Sequence, residues 1–215
     1  QGFGEALRQE FPGQELDLIC ESEHGDLPNV VARFATDAVP PDLVVMGTQG
    51  ASGLQEALFG SNTAAVIKGG KFPVLAVPAQ ADYRTPKRIV LADDGGPVNR
   101  SILALVIEIA RWSQSEIRIV RVVNESTSTE SAPDTQPYDA LLGAIPHTQQ
   151  YLSGENVESA LNEVAEQGDA DLLVVLHRQR SVFQGLFHRS MAARFAMHST
   201  LPCWCCNKPN VDGRR

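Results

Sequence analysis

Asp42-Leu43-Val44-Val45-Met46 and Asp171-Leu172-Leu173-Val174-Val175 are one short phrase written twice, 129 residues apart. Held constant, that offset also pairs Gly25 with Gly154, Ser52 with Ser181, Gln55 with Gln184, Ser61 with Ser190 and Pro73 with Pro202, without a gap. Chance identities scatter, whereas these fall at the joints of a strand and helix pattern. Self-similarity at fixed spacing marks a repeated structural unit. We therefore read two copies of one domain, the first cut short at its N-terminus. The chain opens at Gln1, inside what reads as the end of a helix, Phe3 to Arg8. The polar stretch Ala79 to Lys87, with Pro86, reads as the connection between copies. The expected layout is 1–79 for the C-terminal part of the first domain, 80–86 for the linker, 87–207 for the second domain and 208–215 for a tail.

The second copy is legible from end to end. Arg88 to Ala92 is an apolar run closed by Asp93-Asp94-Gly95-Gly96, a strand and its turn. Ile102, Leu105, Val106, Ile109 and Trp112 recur at helical spacing, predicting an amphipathic helix that starts near Pro97. Ile117 to Val123 is rich in β-branched residues and reads as a second strand, and Asn124 to Pro137, dense in Ser, Thr and Pro, as a loop. A short helix at Tyr138 to Leu142 and a weak strand at His147 to Leu152 follow. A helix at Val157 to Glu166, a buried strand at Leu172 to Leu176, a helix at Met191 to His198 and a last strand at Cys203 to Cys206 complete the copy. Strands alternating with helices imply α/β architecture: two doubly wound parallel sheets covered on both faces. In such folds ligands gather outside the carboxyl ends of the strands. The loops after Met46, Ala92 and Leu176 are accordingly the places to look for chemistry.

Composition narrows the partners. Hydrophobic residues make up 43% and charged residues 20%, a globular balance, and 26 acidic against 18 basic residues leave a net charge of -8. That sign argues against nucleic acid. No apolar run nears the roughly 20 residues of a membrane helix; Ile102 to Ile107 is stopped by Glu108. No basic-then-apolar segment opens the chain, and four cysteines, three of them crowded at Cys203, Cys205 and Cys206, do not make a secreted disulfide framework. A cytoplasmic protein is expected.

The richest loop follows Met46. Gly47 closes the strand, Gly50 follows three residues later, and Gly60 stands ten further on, before Ser61-Asn62-Thr63 and an apolar helix ended by Gly69-Gly70. Glycines let main chain approach a ligand closely. Ser61 is placed as an N-cap, and a helix's first turn presents unpaired amides and about +0.5 of partial charge. Phosphate oxygens suit that arrangement, with the hydroxyls of Ser61 and Thr63 in reach. The alternative is that the glycines only make tight turns.

Gly-x-x-Gly-x9-Gly-Ser, here Gly47, Gly50, Gly60 and Ser61, resembles the nucleotide-binding signature of the universal stress protein family. The flanks Pro41 to Gly47 and Phe72 to Pro78 are similar to the family as well, and the repeat extends the likeness over nearly the whole chain as a tandem member. The resemblance implies a flavodoxin-like fold, cytoplasmic location, and ATP or AMP as ligand, with or without Mg²⁺. Carried over by position, it implies that Met46, Gly47, Thr48, Gly50, Gly60, Ser61, Asn62 and Thr63 hold ribose and phosphates. The adenine side of the first copy has no counterpart in the sequence, so a site with half its walls binds weakly unless another chain fills the gap. The family also pairs last strands edge to edge. Pro73 and Pro78, bracketing one such strand, suit an edge position, with the contact formed either within the chain or between chains.

The second copy has lost the loop. At the same offset Gly47, Gly50 and Gly60 become Leu176, Gln179 and Arg189, and only Ser190 keeps its identity. Asp94 matches the family's aspartate after strand one, and with Ser190 forms a possible vestige. His177, Arg178, Arg180, His188 and Arg189 replace the glycines. They are either a different anion site, or they fill the vacated pocket and pair with Asp93 or Asp94; the second reading is preferred.

Cys203-Trp204-Cys205-Cys206 with His198 invites a metal. On a strand, however, Cys203 and Cys205 share one face and Cys206 takes the other, so small buried cysteines are the better account. No catalytic residues are assigned. The expectation is a nucleotide-binding stress-response protein without an efficient reaction, whose partners are an adenine nucleotide and itself. Two rivals stand beside it: a slow ATPase or phosphotransferase, and a scaffold that binds no nucleotide.

Overall fold

A computed structural model describes residues 3–10, 17–34, 40–49, 61–93, 98, 100–123, 138–153, 157–166, 170–178 and 189–208. In chain order the elements are α1 (Phe3–Glu10), α2 (Leu27–Arg33), β1 (Val44–Gly47), α3 (Ser61–Gly69), β2 (Val74–Val77), β3 (Arg88–Ala92) and α4 (Arg100–Ser113). There follow β4 (Glu116–Val123), α5 (Tyr138–Leu142), β5 (His147–Ser153), α6 (Val157–Glu166), β6 (Leu172–Arg178), α7 (Arg189–His198) and β7 (Cys203–Lys208). The strands and helices expected in the second copy are all present. Helix α2, opened by Pro28 in its first turn, is an addition to the reading. The Ser, Thr and Pro stretch 124–137 lies outside the described residues.

The seven strands among the described residues join one sheet in the order β1-β2-β7-β6-β3-β4-β5. Within each copy the neighbours run parallel: β1 with β2, and β6 with β7, β3 with β6 and β4, and β4 with β5. Between copies, β2 meets β7 antiparallel, with Val74 opposite Cys205, Leu75 opposite Trp204 and Ala76 opposite Cys203. The last strands of the two copies therefore pair inside the chain. The edge position expected for β2 is corrected: it lies inside the sheet, and β1 and β5 are the edges. The prolines do not prevent this because they flank the ladder. Val44 N–H donates to the carbonyl of Pro73 and Thr48 N–H to that of Val77, each at 3.0 Å.

Alternation along the strands builds two cores. Val74, Ala76, Leu173, Val175, Cys203 and Cys205 face α3, α6 and α7. Leu91, Ile117, Ile119, Val174, Trp204 and Cys206 face α4 and α5. The three clustered cysteines are thus divided between opposite faces, as the pleat requires. All three are buried, whereas Cys20 is exposed. A hydrogen bond with Cys205 and then burial hold the Cys203 thiol well above its ordinary pKa, and burial pushes Cys206 the same way. Because the thiolate is the nucleophile, Ellman's reagent should titrate one thiol in the native protein, Cys20, and release the other three only in denaturant.

Helix α4 starts at Arg100, three residues later than its sequence suggested, and its buried face is Leu103, Val106, Ile107 and Ala110. Trp112, placed on the apolar stripe by spacing, is 71% exposed. The helix ends through Gln114 at φ 53, with Gln114 N–H donating to Arg111 O (3.3 Å) and Ser115 N–H to Ala110 O (2.8 Å). This capping geometry favours glycine, and a side chain in the left-handed region costs about 1 kcal/mol. Gln114→Gly should therefore raise stability by about 0.5–1 kcal/mol in urea denaturation. Helix α3 has the residue its stop asks for: Gly70 at φ 60 donates to Val66 O and Ile67 O at 3.2 and 3.1 Å.

Candidate functional site

Strand β1 delivers Met46, Gly47 and Thr48 to its carboxyl end, and α3 brings Ser61, Asn62 and Thr63 to the same place. One bond fastens the two: Thr63 Oγ1 donates to the carbonyl of Gly47 at 2.8 Å. Thr63 is buried and so is Thr48, whereas Gly47, Ser61 and Asn62 are exposed. Met46 is half-buried and packs on the core beneath α3.

The clasp divides the expected residues into two groups. Thr63 and Thr48 are already engaged, the first by its hydroxyl on Gly47, the second by its amide on Val77. Ser61 and Asn62 stand in the first turn of α3, where amides have no partner within a helix. Ser61 is the first helical residue rather than the cap expected of it. Gly60 and Gly50 lie outside the described residues.

Gly47 bears on whether its glycine is there only for a turn. Its φ is not positive, and among the described residues a Cβ built on it would meet only Gln49 O at 3.5 Å, an ordinary contact. Neither backbone conformation nor crowding by those residues demands glycine at this strand end.

The equivalent end of the second copy is built differently. Asp93, immediately after β3, is fully buried, and Arg121 of β4 donates to it through Nη2 at 2.6 Å. Burial opposes the charge on Arg121, but the hydrogen bond and negative charge of Asp93 outweigh it and hold the guanidinium above its ordinary pKa. The same guanidinium carbon lies 5.9 Å from the centre of the Tyr151 ring, within reach of a cation–π attraction. Arg121 escaped the sequence reading, which offered Asp93 the arginines of the loop after β6. The separation of 28 positions between Asp93 and Arg121 hides the contact, and only the parallel pairing of β3 with β4 shows it. Asp94 lies outside the described residues, and Ser190 stands in the first turn of α7. Among the described residues no group of three or more His, Cys, Asp or Glu side chains could hold a metal, and no helix is long and apolar enough to cross a membrane.

Two repeated strand–helix units, back to back in one twisted sheet with a glycine-bearing strand end clasped to a helix start, define a tandem α/β protein of flavodoxin-like type. The Universal stress protein family model matches residues 4–78 and 85–207, and the chain belongs to that family. In fold it is similar to a universal stress protein from Archaeoglobus fulgidus DSM 4304, with a TM-score of 0.59 at 18% identity over 84% of this chain and 66% of that one. It is also similar to a functionally unknown protein from Pseudomonas aeruginosa PAO1, with a TM-score of 0.61 at 14% identity over 95% and 75% of the two chains. Among curated proteins, 120 residues are 28% identical to the sensor protein KdpD of Mycobacterium tuberculosis CDC 1551 / Oshkosh. That match takes in 55% of this chain but only 14% of the relative, so the chain spans a small part of that protein's length.

Proposed function

We propose that this universal stress protein binds an adenine nucleotide, ATP or AMP, at the carboxyl end of β1, and that the second copy binds none. The observation that carries the reading is Gly47. No positive φ asks for glycine there, and among the described residues an added Cβ would make only an ordinary contact with Gln49 O. The amides of the first turn of α3 suit an oxyanion, and Ser61 and Asn62 are exposed there. In the second copy the corresponding residue is Leu176, fully buried, and Asp93, the neighbour of the aspartate that matches the family's, is paired with Arg121.

The engaged Thr48 amide and Thr63 hydroxyl favour a competing reading, in which the clasp is purely structural and the chain is a scaffold. Titration calorimetry of the 215-residue chain with ATP and with AMP separates the two. Saturable heat at one site per chain supports the proposal, and no heat with either nucleotide leaves the scaffold. Hydrolysis needs a positioned water, a metal and a base; the loop offers hydroxyls and Gln49, so we assign binding without efficient turnover.

A further inference from the structure

Thr63 carries a buried hydroxyl that its repeat does without. It is 2% exposed in the first turn of α3, and the residue 129 positions on is Ala192, buried in α7 among the core residues. A hydroxyl withdrawn from water costs free energy unless a partner takes it, so a helix that only has to pack is served by alanine. Helix α7 is such a helix, and it packs on β6 and β7 with alanine at that place. The fold of the repeated unit therefore does not require the hydroxyl. Its presence calls for a role in something the first copy does and the second does not.

The bond it makes points to that role. Thr63 Oγ1 donates to Gly47 O at 2.8 Å, and in the same peptide unit Thr48 N–H donates to Val77 O at 3.0 Å. The carbonyl and amide of a trans peptide point in opposite directions within one plane. The unit is thus held from both sides, by α3 through its oxygen and by β2 through its nitrogen. It cannot turn toward a ligand without releasing one of them. Across 16 positions of chain, this bond fixes the end of β1 against the start of α3. The second copy has Leu176 and Ala192 at the two places, with a hydroxyl at neither.

We propose that Thr63 is a positioning residue of the nucleotide site: it touches no ligand, and by locking the peptide between Gly47 and Thr48 it fixes where the first-turn amides of α3 stand relative to the strand end. The inference rests on the nucleotide reading and gives that site its grip. The phosphates are held from the helix side, by the amides at Ser61 and Asn62, and the strand end is a rigid wall that donates nothing through Thr48.

Titration calorimetry with ATP on the 215-residue chain, Thr63→Ala and Thr63→Ser tests it, beside melting curves of all three. Thr63→Ala copies the second copy's residue and should weaken ATP about fivefold to tenfold, the effect of one hydrogen bond. Thr63→Ser restores the hydroxyl and should return the affinity to within about twofold of the parent. A bond that only held the fold would instead lower the melting midpoint of Thr63→Ala and leave its affinity for ATP unchanged, which would overturn the inference alone. Equal weakening by serine and alanine would overturn it too. Absence of ATP heat in the parent would remove the nucleotide reading and this inference with it. Should Thr63→Ala not fold, amide spectra of the ¹⁵N-labelled parent decide: ATP should move the signals of Ser61 and Asn62 and leave that of Thr48 in place, and an equal movement of Thr48 would overturn the proposal.

Discussion

Gly60→Arg should abolish the heat of ATP binding, weakening affinity at least 100-fold, while the midpoint of thermal unfolding stays within about 2 °C of the parent. The substitution copies into the first unit the residue that its repeat carries at the same place, Arg189. Binding at a helix start depends on main-chain amides, and a long side chain beside them takes the space of the phosphate oxygens. The second copy carries arginine at this place and still forms its helix, α7, which is why the fold should tolerate the change. Calorimetry with ATP on both proteins, beside their melting curves, checks it. Undiminished heat in the variant would remove the anion site from the start of α3.

Arg121→Met should destabilise the protein by about 3–5 kcal/mol, the cost of leaving a buried carboxylate without its cation. Asp93 has no exposed surface and Arg121 is 11% exposed, so water reaches neither well enough to compensate. Replacing both partners is expected to recover much of the loss. Asp93→Leu with Arg121→Met removes the stranded charge along with its partner, and such apolar exchanges are often neutral or better. Urea denaturation of the two single variants and the double variant measures the coupling. A single variant within 1 kcal/mol of the parent would mean that the pair contributes little.

Most of the architecture could be read from residue order because the repeat supplied a second reading of each ambiguous run. Leu172 to Leu176 by itself is a short apolar stretch of either type, but its echo at Asp42 to Met46, each followed by a helix and another strand, resolves it. Pattern failed where the neighbour mattered more than the period. Trp112 fits the apolar spacing of α4, yet it stands 71% exposed, since no described helix or strand buries it. Pro73 and Pro78 look like guards of an edge strand. They are instead the residues immediately before and after β2, and the carbonyls of Pro73 and Val77 accept from Val44 and Thr48 beside it. At the candidate site, Ser61, Asn62, Thr63 and Gly47 were legible as a group. The bond from Thr63 to Gly47 was not, since a hydroxyl's choice between ligand and backbone depends on a distance that only the packed chain sets.

The antiparallel junction of β2 with β7 carries a consequence for how the molecule comes apart. The halves are not beads on a string but one continuous weave, stitched through main-chain atoms at its centre. Peeling away either half lays bare a full row of amides and carbonyls on the other, a raw border that invites adhesion to any passing chain. Loss of order in one half therefore undermines its twin, and whatever steadies the front portion braces the rear one too.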